Sequence, residues 1–219
     1  MKIVAFVPIK INSERVKGKN IKLLGSKPLC YYAINELLSV KNIDDVYVFC
    51  SDPVIKKYIP KKAKFLRRSV DLDKSTTKGL EIYKSFVEMI DADIYVLVHV
   101  TSPFLKSSSL SNALEHVLNM DYDSAFSVKR IKTFVWYLGK PLNYSLNDIP
   151  RTQEIEPIYY ETSSFYIFKR SLMINENRRI GHNPFLQEVD DEEAIDIDEE
   201  HDFQFASFIM KNKEKIDEK

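Results

Sequence analysis

Glycine is scarce in this chain, with five in 219 residues, and cysteine scarcer, with two. The few glycines form neither a GxGxxG fingerprint nor a GxxxxGK[ST] loop, which excludes the ordinary dinucleotide and P-loop ways of cradling phosphate. Cys30 and Cys50 have no histidines at ligand spacing, so a zinc site is excluded and they read as reduced core thiols. Charge surplus is absent too: 32 basic residues face 32 acidic ones. A nucleic-acid coat or a polybasic membrane binder needs a positive excess, so neither partner is expected. No apolar run approaches the ~20 residues that span a bilayer. Met1 to Val7 run straight into a strand with no apolar leader, so a soluble, cytoplasmic protein is expected.

What is present is a core. Hydrophobic residues make up 44% and aromatics 12%, enough for one substantial domain over 1–219. KIVAFV (2–7) reads as a strand covered on both faces, and DDVYVFC (44–50), KFL (64–66) and DIYVLVHV (93–100) read as further strands. Between them, PLCYYAINELLSV (28–40), TTKGLEIYKSFVEMI (76–90) and SSSLSNALEHVLNM (107–120) carry helical apolar spacing. Ser75 or Thr76 is the expected cap of the second helix and a serine that of the third. The alternation predicts a three-layer, Rossmann-like α/β fold around a mainly parallel sheet. After SAFSVKR (124–130) the pattern changes, and 131–168 reads as a small β-rich inserted lobe. FLQEVD and EAIDID resume the α/β pattern, and a helix over 198–216 closes the chain, with KNKEKIDEK as a solvated tail.

Four segments carry polar groups where chemistry is expected. VPIKINSERVKGKN (7–20) leaves the first strand and crowds Lys10, Arg15, Lys17 and Lys19 into one loop, opposed only by Glu14. At the C-terminal edge of a parallel sheet such a loop suits a polyphosphate, with Ser13 and backbone N–H groups adding hydrogen bonds. AIDIDEEHD (194–202), read as a strand, places Asp196 and Asp198 on one face, a ready Mg²⁺ site; capping of the last helix by Asp198 is the plainer alternative. HVTSPF (99–104) and CSD (50–52) follow strands at the same edge, suiting either base and sugar recognition or plain turn chemistry. In IPRTQEIEPIYYETSSFYIF (149–168), Arg151, Gln153, Glu161 and Thr162 sit among aromatics, a combination suited to a hydroxylated acid.

Taken in order, these segments resemble the cytidylyltransferase family that includes the CMP-sialic acid and CMP-Kdo synthetases. PIKINSERVKGKN keeps Pro8, Ser13, Arg15, Gly18, Lys19 and Asn20 of that family's opening loop. GSKPLCYYAI, CSD, KFLRR, HVTSPF, PRTQEIEPIYYETSSFYIF and AIDIDEEHDFQFA follow in the family's order, covering about residues 3 to 207. The resemblance implies transfer of CMP from CTP to an acidic sugar with release of pyrophosphate, feeding surface glycan synthesis. It implies that Arg15, Lys19 and Lys10 grip the triphosphate, with Pro8, Ser13 and Asn20 beside them. It implies that Asp196 and Asp198 hold Mg²⁺, that Ser51, Arg67, His99, Thr101 and Ser102 line the nucleotide side, and that Lys129 or Lys132, Arg151, Gln153, Glu161 and Thr162 face the sugar acid. A homodimer built through the lobe is implied as well. The sequence departs from the family at Lys10, where an arginine is usual, at His99, where the sialic acid enzymes carry glutamine, and at ETSS (161–164), where an NGA turn is usual. Those departures leave open an acceptor outside the sugars, such as a phosphonate, or a nucleotide-binding homologue without catalysis.

Overall fold

The computed structural model describes residues 1–13, 15–119 and 121–217. Glu14, and the last two residues of the tail read as solvated, lie outside the described residues. Seven strands form the main sheet: β1 (Ile3–Ile9), β2 (Asp45–Cys50), β3 (Lys64–Arg67), β4 (Ile94–Val98), β5 (Ser124–Ile131), β6 (Ile158–Lys169) and β7 (Pro184–Glu188). Their order across the sheet is β7-β5-β6-β4-β1-β2-β3. The pairs β1/β2, β1/β4, β2/β3 and β5/β7 are parallel. Strand β6 runs antiparallel to both β4 and β5.

The sheet is covered on both faces, which is why its central strands read as unbroken apolar runs. Side chains alternate: Ala5 and Val7 pack with Ala33 and Leu37 of helix α1 (Leu29–Ser39) and with Ala113 and Leu114 of α3 (Ser107–Asn119). Val4 and Phe6 face the other way, onto Phe86 and Val87 of α2 (Gly79–Met89) and Leu172 and Met173 of α4 (Arg170–Glu176). The Phe6 and Phe86 rings stack with centroids 4.2 Å apart. A third apolar cluster sits at the carboxyl edge, where Leu24, Leu29 and Phe104 meet Ile197 and Phe203, Ala206 and Met210 of α5 (Glu200–Asp217). Both cysteines are buried and free, and burial pushes the Cys30 thiol up to about 12. Among the described residues no helix is long and apolar enough to cross a membrane.

Three expectations are corrected. The segment 158–168 is not part of a lobe: it forms β6, paired between β4 and β5, and its continuous run Phe165 to Phe168 is fully buried. What is inserted is 132–157, which holds only a two-residue ribbon (Trp136–Tyr137 with Lys140–Pro141) and an isolated bridge, so it is loop-rich rather than β-rich. Residues 194–198 are not a strand, since no ladder pairs them. Helix α2 starts at Gly79 rather than near Thr76, because the Lys78 N–H donates to the Glu81 carboxylate at 2.8 Å, an acceptor three residues on that fixes the first turn. Helix α4, which no periodicity announced, ends at Asn177 in the left-handed region, φ 52°.

Candidate active site

Strands β1, β2 and β4 deliver three loops to one sheet edge. The loop after β1 is held in shape by its own polar side chains. Ser13 Oγ donates to the Val16 carbonyl at 2.5 Å and accepts from the Lys19 N–H at 2.9 Å. Asn20, buried, donates from Nδ2 to the Lys10 carbonyl at 2.7 Å. Gly18 turns the chain at φ 64°, a conformation that costs other residues about 1 kcal/mol or more. Ser13 and Asn20 are therefore braces, which leave Arg15 and Lys17 exposed and turn Lys19 inward. Pro8, Lys10, Ser13, Arg15 and Lys19 line an open cavity of about 540 Å³, whose other walls include Arg68, Tyr83 and His99.

The acidic segment docks beside that cavity. The Ile197 N–H donates to the Thr101 carbonyl at 2.8 Å, and the Ile197 side chain is fully buried in the third cluster. This anchors the two flanking aspartates without a ladder. Lys19, 6% exposed, donates to the Ile197 carbonyl and lies 3.6 Å from Asp198 Oδ1. Arg15 reaches Asp198 Oδ1 at 2.8 Å and Glu199 Oε1 at 3.5 Å. Capping of α5 falls to Asp202, not Asp198: its carboxylate accepts from the Asp198 and Glu199 N–H groups at 3.0 and 2.8 Å, which holds its pKa below the usual range. Burial lowers the Lys19 ammonium, whereas the hydrogen bond to Asp198 raises the Arg15 guanidinium. Burial, and to a lesser degree the charge of Asp198, push Asp196 up against a hydrogen bond between its carboxylate and the Thr101 side chain and the charge of Lys19, and its buried Oδ1 has no hydrogen-bond partner. Two hard oxygen donors, one of them unsatisfied, suit a hard divalent cation.

On the β2/β3 side the expected Arg67 is exposed and the next residue takes its place. Residue faces alternate along a strand, so a shift of one position exchanges solvent for interior. Arg68, 3% exposed, donates to the Ile9 carbonyl at 3.1 Å and pairs with Asp73 at 2.5 Å. Ser51 donates to the same Asp73 carboxylate, and with Lys10 lines an adjoining cavity of about 450 Å³. His99, at the exit of β4, donates from Nδ1 to the Ser163 carbonyl at 2.7 Å. A carbonyl only accepts, so Nε2 carries no proton and receives the Tyr83 hydroxyl at 3.0 Å. Burial pushes this imidazole down to about 4, so it is neutral near pH 7. Ser102 is fully buried, with an unpartnered hydroxyl.

The residues expected to face an acceptor are scattered. Lys129 pairs with Asp191 at 2.7 Å, and Lys132 donates to the Gln153 carbonyl. Arg151, with a side chain 80% exposed, is taken up by Glu154 three residues on. Thr162 is buried and bonded to Ser127 at 2.7 Å and Ser164 at 3.1 Å, which makes it part of the sheet interior. None of these lines the 540 Å³ cavity. Glu161 alone reaches toward it, accepting from the Tyr166 hydroxyl at 2.7 Å and pairing at 3.7 Å with Arg179. Arg179 in turn stacks 3.7 Å over the Tyr166 ring and contacts the Tyr83 hydroxyl at 3.5 Å.

A family model described as Cytidylyltransferase matches residues 4–218. This chain belongs to the cytidylyltransferase family. Among curated proteins it is 28% identical over 214 residues to an N-acylneuraminate cytidylyltransferase of Oncorhynchus mykiss, covering 93% of this chain and 49% of that protein. It is 26% identical over 209 residues to a Helicobacter pylori protein named pseudaminic acid cytidylyltransferase and UDP-2,4-diacetamido-2,4,6-trideoxy-beta-L-altropyranose hydrolase, covering 90% of this chain and 40% of that one. The chain spans about half the length of the curated relatives it matches. In fold it is similar to a CMP:2-keto-3-deoxy-manno-octonic acid synthetase solved with CTP, with a TM-score of 0.73, 14% identity, and coverage of 97% of this chain and 100% of that one.

Sequence reasoning missed Arg68, Asp73, Tyr83, Arg179 and Asp202. Arg68 was one residue from the position chosen, and Asp202 stood in the acidic run already singled out. Tyr83 and Arg179 had no local signal, because they meet only when α2 and the turn after α4 are brought against the exit of β4.

Proposed function

We propose that this chain transfers CMP from CTP to an acidic nine- or eight-carbon sugar, releasing pyrophosphate. The observation that carries the reading is the convergence of Arg15 and Lys19, from the loop after β1, on the Asp198 carboxylate beside one cationic cavity. In the reaction a hydroxyl oxygen of the acceptor forms a bond to the α-phosphorus of CTP, and the bond from that phosphorus to the β-phosphate oxygen breaks. Negative charge gathers on the phosphate oxygens and the leaving pyrophosphate, so positioning and charge neutralisation do most of the work. Arg15 offers a fork of N–H donors to the triphosphate, and Lys19, desolvated and fixed on the Ile197 carbonyl, offers a point charge that costs little to reorganise. Lys10 extends the same rim. Arg68, held by Asp73, supports the floor on the nucleotide side.

Asp196 and Asp198 fit Mg²⁺, since the partnerless Oδ1 of Asp196 and the carboxylate of Asp198 are the donors that a hard cation takes. When bound, the cation supplies positive charge and Lewis acidity toward phosphate and hydroxyl oxygens. His99, neutral and fixed in one tautomer, gives the cavity that Arg15 and Lys19 share a shaped, uncharged wall, and Arg179 nearby supplies the positive charge that an acid requires. The exposed apolar side chains of the insert, among them Trp136, Tyr137, Leu138 and Leu142, support a homodimer through 132–157.

The test is pyrophosphate release with Mg²⁺ across a panel of nucleoside triphosphates and acids: N-acetylneuraminate, pseudaminate, 3-deoxy-manno-octulosonate and a phosphonate. Release is expected with CTP and a sugar acid, and is lost in Asp196→Asn and Asp198→Asn while the fold persists. Equal turnover in those variants, or preference for another nucleotide, refutes the assignment.

A further inference from the structure

Outside the cationic cavity, Glu193 is a buried ionisable side chain, 3% exposed and three residues ahead of Asp196. Its carboxylate is fully engaged. Oε1 accepts from the Lys106 N–H at 3.0 Å, ahead of the first turn of α3, and Oε2 accepts from the Ser109 hydroxyl at 3.0 Å. The Lys106 ammonium stands 3.8 Å away and is shared with Asp190, whose carboxylate also accepts from the Glu193 N–H at 2.9 Å. The Glu193 carbonyl accepts from the Ser164 hydroxyl at 3.3 Å, and Ser164 is itself bonded to Thr162, which is bonded to Ser127. One residue thus ties the acidic segment to a helix start, to β6 and, through two hydroxyls, to β5. Four residues on, the Ile197 N–H supplies the next tether, to the Thr101 carbonyl.

A buried carboxylate that accepts from a backbone N–H and a hydroxyl is costly to place and rigid once placed. No ladder holds 194–198, so the position of Asp196 depends on these tethers at either side. We propose that Glu193 is a positioning residue: by clamping the segment to α3 and β6 it sets where Asp196 and Asp198 stand relative to Arg15 and Lys19. Ser164 of the ETSS stretch then acts on the acidic pair through the Glu193 carbonyl. The proposal rests on the reading of Asp196 and Asp198 as a divalent-cation site.

The test compares the parent with Glu193→Ala and Glu193→Gln. The glutamine keeps the shape and one acceptor. Three readouts are taken: amide hydrogen exchange of 190–202 without ligand, CTP affinity in EDTA, and Mn²⁺ binding in the presence of CTP. In Glu193→Ala, exchange at Ile197 is expected to quicken at least tenfold with β4 amides unchanged, and Mn²⁺ affinity to fall at least tenfold. CTP affinity in EDTA is expected to stay within twofold, and Glu193→Gln to recover most of the Mn²⁺ affinity. Unchanged exchange at Ile197 in Glu193→Ala overturns the clamp, and so does parallel loss of CTP affinity and β4 protection, which is general destabilisation. A parent that binds no Mn²⁺ with CTP overturns the underlying functional reading instead, and the role given to Glu193 with it.

Discussion

Replacing Asp196 with asparagine is expected to raise stability without ligand while removing the proposed response to Mg²⁺ and CTP. The Asp196 carboxylate is partly buried, its Oδ1 lacks a partner, and burial has raised its pKa above the usual 3.8. Its charged form is therefore disfavoured in the folded chain. A neutral amide of the same shape is still polar but carries no charge, and the difference between burying a charged and a neutral unsatisfied group is about 1 kcal/mol or somewhat more. In a domain of this length that corresponds to a midpoint roughly 2–4 °C higher for Asp196→Asn at pH 7. The sign with pH follows from linkage. Between 3.8 and the raised value the folded state binds more protons than the unfolded, so the parent loses stability as pH climbs through that window. Below it both side chains are neutral and the two proteins should melt together. Adding Mg²⁺ and CTP reverses the order: at 100 times Kd the parent gains about 2.7 kcal/mol, whereas the variant gains far less. Differential scanning calorimetry at pH 3.5 to 7.5, with and without ligands, reads all of this. An Asp196→Asn chain that melts below the parent at pH 7 without ligand refutes the reasoning, because Asp196 would then be stabilising where it stands.

Arg15→Ala removes an exposed ion pair, so its stability cost is expected to stay within about 1 kcal/mol, while CTP affinity by calorimetry drops about 10- to 100-fold, the worth of one charge-assisted hydrogen bond. Gly79→Ala would usually help a helix by up to about 1 kcal/mol. Here the new Cβ meets the buried Tyr83 hydroxyl at 2.8 Å, so a lower melting midpoint and a weakened Tyr83–His99 contact are expected; a higher midpoint would contradict this. His99, whose pKa is depressed from 6.5 to about 4, contributes stability that is complete above pH 6.5 and lost as pH falls toward 4. The loss is at most roughly 3 kcal/mol at 1.36 kcal/mol per pH unit, and His99→Gln should flatten that slope in urea titrations at pH 4 to 7.

The parallel core was readable in the chain because burial on both faces leaves continuous apolar runs, as in IVAFV and IYVLV. The cationic loop was readable for the opposite reason: four cations in a neutral chain need a local cause. The alternation in AIDID misled, since Ile197 is buried by α5 and the 99–102 turn rather than by a neighbouring strand. Arg67 and Arg68 differ by one register step at the end of an edge strand, where no pattern fixes the face. Arg151 and Gln153 lie on an insert with almost no strand or helix, where their contacts run to Glu154 and Lys132 and no periodicity fixes a face. Glu193 was one acid among many in EVDDEEAIDIDEE, and only packing singles it out.

Strand β6 runs against its neighbours, and this has a consequence for how such a chain can diversify. Strand β5 leaves and β6 enters at the same rim, with Ile131 and Ile158 facing each other across the ladder. The 26 or so residues between them form a closed excursion, with both ends pinned a strand's width apart. Such an excursion can lengthen, shorten or change its surface without altering the register of any strand, while the cation-bearing loop and the acidic segment enter from other parts of the chain. The insert and the cationic and acidic segments thereby lie on separate stretches of polypeptide, free to change independently of one another.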